Sequence, residues 1–204
     1  MTAPDWRASV VEYIGREAQP RDKFGHQPRL YALACEIGQG EGVAYDDDIV
    51  FAAAWMHDLG VFLGQRPTDP DELARWDHVP YTIARARELL AGWAFPAEKI
   101  DGVAAAISTH QPHQEPVEIE AVLLRDADIL EQLGAIGVLR ALAKVGRDTR
   151  YESFSSVSTM LRQALNDLPS QLRLNHAKLL LGARVRTLRD FLAAIESEAG
   201  NLLY

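Results

Sequence analysis

Apolar residues recur along the chain at helical spacing, in stretches separated by short polar or glycine-containing breaks. In the first stretch, Trp6, Val10, Tyr13 and Ile14 form one apolar stripe, which predicts an amphipathic helix over 6–17. The same periodicity predicts helices over 76–91, 97–109, 117–133, 136–145, 154–168 and 171–198. We find no convincing run of alternating apolar and polar residues, which would be typical of a half-buried strand. The pattern therefore predicts an all-α protein.

A second helix is predicted from Asp22, which can act as its N-cap, to about Ile37, where the glycines at 38 and 40 end it. Pro28 falls inside this helix and would remove a backbone hydrogen bond there. We therefore expect the helix to start late, or to kink, near His26.

A third helix, 49–57, is predicted to begin after a capping aspartate among residues 46–48. It is apolar on nearly every side, which is typical of a helix at the centre of a core. The residues that follow, 60–71, are rich in Gly, Pro and Asp and are expected to form a loop.

Composition and charge narrow the classes of partner. The 204 residues carry a net charge of −8, which argues against long nucleic acid as a ligand. Cys35 is the only cysteine, so an internal disulfide and a cysteine-rich zinc module are excluded. The first 20 residues lack an apolar block, and the longest apolar run, 50–56, is too short to span a bilayer. We expect a cytoplasmic protein without a membrane partner.

The candidate chemistry lies in the histidines and a few aspartates. His57 and Asp58 are adjacent at the end of the most apolar helix, where buried polar groups must find partners. They could be a hydrogen-bonded core histidine beside a capping aspartate, or two ligands of a divalent cation. Further candidates stand at predicted helix ends or inside an apolar segment; these are His26, His78, His110 and Asp128. Imidazole and carboxylate together suit Mn, Fe, Zn or Mg, according to their balance.

The ordered set His26, His57–Asp58, Asp128 resembles the H…HD…D signature of the HD-domain superfamily of metal-dependent phosphohydrolases. Residues 126–137, DADILEQLGAIG, and 52–60, AAAWMHDLG, are similar to segments of its small bacterial members, which include nucleotide pyrophosphohydrolases of the YpgQ type. The resemblance covers about residues 20–150, and more weakly the last helix. It implies one HD-like domain over 1–204, a helical bundle with a metal site between helices. Its core would be about 20–150, with the helices of about 151–199 packed on it.

Carried onto this sequence, the resemblance implies that His26, His57, Asp58 and Asp128 bind one divalent metal, with Mn or Mg favoured and Fe, Zn, Ni or Co as alternatives. His78 and His110 stand where some members bind a second metal. In single-metal members, histidines there contact the substrate phosphate or orient water. Asp58, His78 and His110 are thus the catalytic candidates, because a metal-activated water needs a carboxylate to orient it and a proton donor for the leaving oxygen.

The resemblance further implies a small anionic substrate, which we expect to be a nucleotide. Arg29 and Arg140 are the cations that we favour for its phosphates. Two departures from the family pattern could alter activity: Ile129 replaces an arginine, and Pro28 lies in the helix of the first ligand.

Two other functions stay open at this point. A few HD-like proteins use six ligands in this order to hold two irons and activate oxygen, and all six residue types are present here. A non-catalytic nucleotide-binding module is the other alternative, although the complete ligand set argues against it. The last helix has enough Leu and Phe to form a homodimer face.

Overall fold

The computed structural model describes residues 5–147, 151–200 and 202–204, apart from the side chain of Asp22. These residues form ten α-helices joined by loops and short 3₁₀ turns, with no strand among them, so the predicted all-α class is confirmed. The helices are α1 (Trp6–Glu17), α2 (His26–Glu41), α3 (Asp47–Met56), α4 (Pro70–Ala74), α5 (His78–Gly92), α6 (Ile100–Ser108), α7 (Ile119–Glu131), α8 (Gly134–Leu142), α9 (Phe154–Asp167) and α10 (Asn175–Ala199).

The chain divides into two compact units, Met1–Ala127 and Asp128–Tyr204. In the first unit, α3 packs against α1, α2 and α6, and α5 packs against α6 and the turn Leu59–Val61. In the second unit, α10 packs against α8 and α9. That residues 1–204 form one HD-like domain stays a prediction.

Helix α3 is the core helix of the first unit. Its N-cap is Asp46, whose carboxylate accepts hydrogen bonds from the backbone N–H groups of Asp48 at 3.0 Å and Ile49 at 3.4 Å. Every residue from Val50 to Met56 is buried, as the all-round apolar pattern predicted. The helix ends with His57 as its C-cap. The polar pair His57–Asp58 therefore lies at the end of a helix whose residues 50–56 are all apolar and buried.

Helix α2 begins at His26, so the late start expected from Pro28 is confirmed. Pro28 occupies the first turn, where backbone N–H groups have no intrahelical acceptor and a missing N–H costs little. The predicted Asp22 cap is wrong, because the N-cap is Gly25; the side chain of Asp22 itself lies outside the described residues. The predicted end near residue 37 is also wrong. The helix continues to Glu41 and stops at Gly42, which has the left-handed φ of 71° that favours glycine at this position.

The segment 60–71 is not entirely loop. The short helix α4 begins at Pro70 after Asp69, whose carboxylate accepts hydrogen bonds from the N–H groups of Asp71 and Glu72, both at 3.0 Å. A proline in the first turn after a capping aspartate is a signal for the start of a helix. In this sequence the many neighbouring Gly, Pro and Asp residues made the segment resemble a loop instead. Helix α5 then begins at His78, with Asp77 as its N-cap.

The second unit ends in the longest helix, α10, of 25 residues. Its buried residues are few, Ala177, Leu188 and Leu192, and charged side chains interrupt its apolar positions. Among the helices of the described residues, none combines the length and the apolar character needed to cross a bilayer.

Candidate metal centre

Five side chains of the first unit converge into two groups that share one carboxylate. The first group is His26, His57 and Asp58, and the second is Asp58, His78 and His110. Within each group, one potential ligand atom from each residue lies within 4.8 Å of the others. Five of the predicted site residues are therefore brought together, although they are spread over 26–110 of the sequence.

Four different helices supply the four histidines, each at or just beyond one of its ends, and Asp58 follows His57 as the N-cap of the turn Leu59–Val61. His26 is the first residue of α2, and His57 is the C-cap of α3. His78 is the first residue of α5, and His110 follows the end of α6. Neighbouring rings are in edge contact, with centroids 5.1 Å apart for His26–His57 and for His57–His110, and 5.6 Å for His78–His110.

Backbone carbonyls fix the orientation of two of the imidazoles. His57 Nδ1 lies 3.0 Å from the carbonyl oxygen of Ala54, and His110 Nδ1 lies 2.6 Å from that of Ile107. A carbonyl can only accept, so in both rings Nδ1 donates the hydrogen bond, which leaves Nε2 as the ring nitrogen available to a ligand. A backbone acceptor on Nδ1 is the usual support of a histidine that binds a metal through Nε2.

The distance between the first two histidines suits a shared ion. His26 Nε2 lies 3.2 Å from His57 Nε2, and both side chains are buried. Two nitrogens bound to one ion at about 2.1 Å would lie roughly 3.0–3.4 Å apart. Asp58 adds a carboxylate to these two imidazoles, so the donor set and the spacing of the two nitrogens fit a divalent cation.

Asp58 lies between the two groups. Its Oδ2 is 3.6 Å from His57 Nε2, and its Oδ1 is 3.7 Å from His78 Nε2. Among the described residues, its carboxylate makes no capping hydrogen bond to the turn Leu59–Val61 that it precedes. The simple alternative for an aspartate at a helix end, a side-chain cap, is therefore not what this carboxylate does.

The electrostatic surroundings keep Asp58 ionised. Burial raises its pKa, but the positive charges of neighbouring imidazoles outweigh burial and bring that pKa well below its usual range. The imidazoles concerned are those of His57, His26 and His78, and Lys23 contributes in the same direction. Asp58 is thus held as a carboxylate, the form that binds metal.

Lys23 is a residue of this neighbourhood that the sequence analysis missed. It stands three residues before His26, as Arg29 stands three residues after it. The guanidinium of Arg29 folds back over the N-cap, so that a Cβ atom on Gly25 would come within 2.8 Å of Arg29 Nη1. The spacing Lys23-x-x-His26-x-x-Arg29 could have suggested that cations flank the first ligand.

Asp128 and Arg140, two further predicted site residues, belong to the second unit. Asp128 Oδ2 accepts a hydrogen bond from Gln132 Nε2 at 3.2 Å, and Asp128 Oδ1 lies 4.0 Å from Arg140 Nη1. Arg140 also donates to the carbonyl of Glu131 at 3.3 Å. The ligand role of Asp128 and the substrate-binding roles of Arg140 and Arg29 stay predictions. Ile129, which replaces the arginine of the family pattern, is fully buried and packs in the core.

Comparisons with known proteins identify the family and the fold. The family model described as HD domain matches residues 24–133, which include the five converging residues. No curated protein matches the sequence significantly.

Solved structures share the fold over nearly the whole chain. YpgQ from Bacillus subtilis is 21% identical with a TM-score of 0.73, covering 99% of this chain and 100% of its own. The same protein in complex with ADP gives 21% and 0.67, covering 96% and 99%. The Lin1889 protein from Listeria innocua is 22% identical with a TM-score of 0.68, covering 96% of each chain. Because the family model spans more than half of the sequence, and these structures share its fold, the chain belongs to the HD domain family.

Proposed function

We propose that this protein is a metal-dependent phosphohydrolase that acts on nucleotides and holds two divalent ions through a shared Asp58. The observation that carries the proposal is the placement of the Asp58 carboxylate, with one oxygen toward His57 and the other toward His78. His26, His57 and Asp58 would hold one ion, and Asp58, His78 and His110 would hold the other. Two such ions would stabilise the charge on the attacking and leaving oxygens of a phosphoryl group.

The donor types favour a transition metal. Each group offers two imidazole nitrogens and one carboxylate oxygen. Mg²⁺ prefers oxygen ligands and keeps several waters, whereas imidazole suits Zn²⁺, Ni²⁺ and Fe²⁺, and mixed sets also accept Mn²⁺. Of the two metals favoured by the sequence, we therefore propose Mn²⁺ over Mg²⁺.

A bound divalent ion would polarise a phosphoryl oxygen and lower the pKa of water at this site. The chain's own contribution is to fix the ligands. The carbonyls of Ala54 and Ile107 hold the rings of His57 and His110, and Asp58 stays ionised between them. If the second group holds an ion, Nε2 of His78 and of His110 serves as a ligand. If it does not, the same atoms face the substrate and can transfer a proton to or from it.

The proposed substrate is a nucleotide because the site combines anion-binding metal positions with nearby cations. Lys23 and Arg29 flank His26, and a guanidinium or ammonium there can neutralise a phosphate that the metal does not reach. The structure of YpgQ in complex with ADP supports this ligand class. Asp128 as a further metal ligand and Arg140 as a phosphate ligand belong to the same proposal.

The test begins with metal analysis of the purified protein. It is then stripped, reloaded with Mn²⁺, Mg²⁺, Zn²⁺ or Fe²⁺, and assayed on a panel of nucleoside mono-, di- and triphosphates. We expect two Mn²⁺ per chain and the release of pyrophosphate or orthophosphate. From a nucleoside triphosphate, pyrophosphate indicates cleavage between the α and β phosphates, and orthophosphate indicates removal of the terminal phosphate. One bound ion with full activity would overturn the two-ion arrangement, and no turnover with any metal would overturn the hydrolase.

The same imidazole-rich groups would also suit two irons, which makes an oxygen-activating enzyme the second candidate function. Iron content together with oxygen consumption separates the candidates, because hydrolysis consumes no oxygen. Nucleotide binding without turnover under any metal would instead indicate a binding module.

A further inference from the structure

We propose that Thr82 and Trp76 are positioning residues that hold Gly60 and thereby fix the separation of Asp58 and His78. This inference rests on the proposed two-ion function, because its consequence is the assembly of the second group. Gly60 follows Asp58 by two residues, and Thr82 follows His78 by four. A contact between Gly60 and Thr82 therefore ties together the two segments that carry these ligands.

Both backbone polar groups of Gly60 are held by side chains rather than by a helix. Its N–H donates to Thr82 Oγ1 at 3.0 Å in a buried hydrogen bond, and its carbonyl accepts from Trp76 Nε1 at 2.8 Å. The two partners stand on either side of His78 in the sequence. Gly60 is thus fixed from two directions by the segment 76–82.

The approach at Gly60 is close enough to exclude a side chain. A Cβ atom there would lie 2.9 Å from both the Cβ atom and the carbonyl oxygen of His78, and 3.1 Å from Thr82 Oγ1. Glycine is therefore required at this position by space, because a side chain there would collide with His78, one of the proposed ligands. The turn after Asp58 rests directly on the first turn of α5.

Helix geometry transmits this contact to the imidazole. Residues four apart lie on one face of a helix, so Thr82 and His78 both face the turn Leu59–Val61. Thr82 is fully buried, which leaves its hydroxyl little freedom to choose another orientation. The two imidazoles of the first group have no such dependence on α5, because His26 begins α2 and His57 is held by its own helix.

The proposal predicts selective loss of one ion. Thr82→Val keeps the shape of the side chain and removes the acceptor, whereas Thr82→Ser keeps the hydroxyl. We expect Thr82→Val to weaken one of the two Mn²⁺ binding steps by ~10–100-fold in calorimetric titration, the usual range for loss of a supporting interaction. Thr82→Ser should retain both steps. Thr187→Val, the same change on the exposed face of α10, is the matched control.

A second measurement is independent of metal. In the stripped protein, hydrogen exchange of residues 58–62 should be faster in Thr82→Val and in Trp76→Phe than in the wild type. Exchange within α2 should be unchanged, which also shows that the variants fold. If the wild type binds fewer than two ions, the two-ion function fails, and hydrogen exchange still tests whether Thr82 and Trp76 hold Gly60. If the wild type binds two ions and both variants match it in titration and exchange, the positioning role of Thr82 and Trp76 is wrong.

Discussion

Asp58 Oδ2 lies 3.6 Å from His57 Nε2, while Asp58 Oδ1 lies 3.7 Å from His78 Nε2. The two oxygens of one side chain therefore point to two different histidines, which stand on different helices. A carboxylate in this position can act as a metal ligand in both groups, so a single substitution of Asp58 should weaken metal binding at both.

The first prediction concerns Asp58→Asn, which keeps the shape of the side chain and removes its charge. An amide is a weak metal ligand, so both ions should lose their common anionic donor. We expect Mn²⁺ stoichiometry to fall from two toward zero and nucleotide hydrolysis to fall by at least ~1000-fold. Circular dichroism should remain helical. Asp190→Asn, on the exposed face of α10, is the matched control and should behave as the wild type. Full activity in Asp58→Asn would overturn the assignment of this residue.

The second prediction separates the two groups. His110→Ala removes a ligand of the second group only, so one Mn²⁺ should remain bound, with activity strongly reduced. His57→Ala removes a ligand of the first group, and the ion that remains should be held by Asp58, His78 and His110. Titration of each variant with Mn²⁺ measures this. His113→Ala, an exposed histidine in the loop after His110, is the control. If His110→Ala lost neither ion nor activity, a ligand role for His110 would be excluded.

Much of the candidate centre could be predicted from the sequence, because helical periodicity and ligand chemistry both leave local signals. The uninterrupted apolar run of α3 marks it as a core helix, and that burial is what makes the polar pair His57–Asp58 conspicuous. Pro28 likewise predicts where α2 can begin, because proline has no backbone N–H and is tolerated only in the first turn of a helix.

Other features depend on distances that no local pattern encodes. No sequence pattern links Thr82 to Gly60, because the contact between them depends on how α5 packs against the turn Leu59–Val61. The effect of Lys23 on the pKa of Asp58 also depends on packing. It could be predicted only once the start of α2 at His26, three residues after Lys23, had been placed beside Asp58. The end of α2 was misplaced because glycines inside a helix are tolerated when packing supports them: Gly38 lies against the Tyr45 ring, where a Cβ atom would collide.

The third prediction concerns the dependence of stability on pH. Hydrogen bonds from Lys99 and Arg7, with N–O distances of 2.8 and 2.6 Å, hold the pKa of Asp48 below its ordinary value. A lowered pKa in the folded state stabilises the fold above the unfolded pKa of about 3.9, and this contribution is lost as pH falls through the folded value. Asp48→Asn should therefore lower Tm by about 2–4 °C at pH 7, the shift expected for roughly 1 kcal/mol in a domain of this size.

The difference in Tm between Asp48→Asn and the wild type should then begin to narrow below about pH 3.9, where Asp48 of the unfolded chain takes up a proton, and keep narrowing until the pH passes the lowered pKa of the folded state. Thermal unfolding at pH 7, 5 and 3 measures it, with Asp190→Asn as a control of equal charge change. A difference that stays constant from pH 7 to pH 3 would show that the charge of Asp48 contributes nothing.

The last prediction uses two glycines with opposite surroundings. At Gly137, which ends the segment 126–137, a Cβ atom would collide with the backbone carbonyl of Gln132. At Gly92, the final residue of α5, a Cβ atom would meet nothing within 4 Å. Backbone cannot move aside as a flexible side chain can, so Gly137→Ala should destabilise the protein by about 1–3 kcal/mol. Gly92→Ala should stabilise it by about 0.5 kcal/mol, because alanine loses less conformational entropy in a helix. Urea unfolding of the two variants measures both signs, and equal effects would mean that space around Gly137 does not decide its identity.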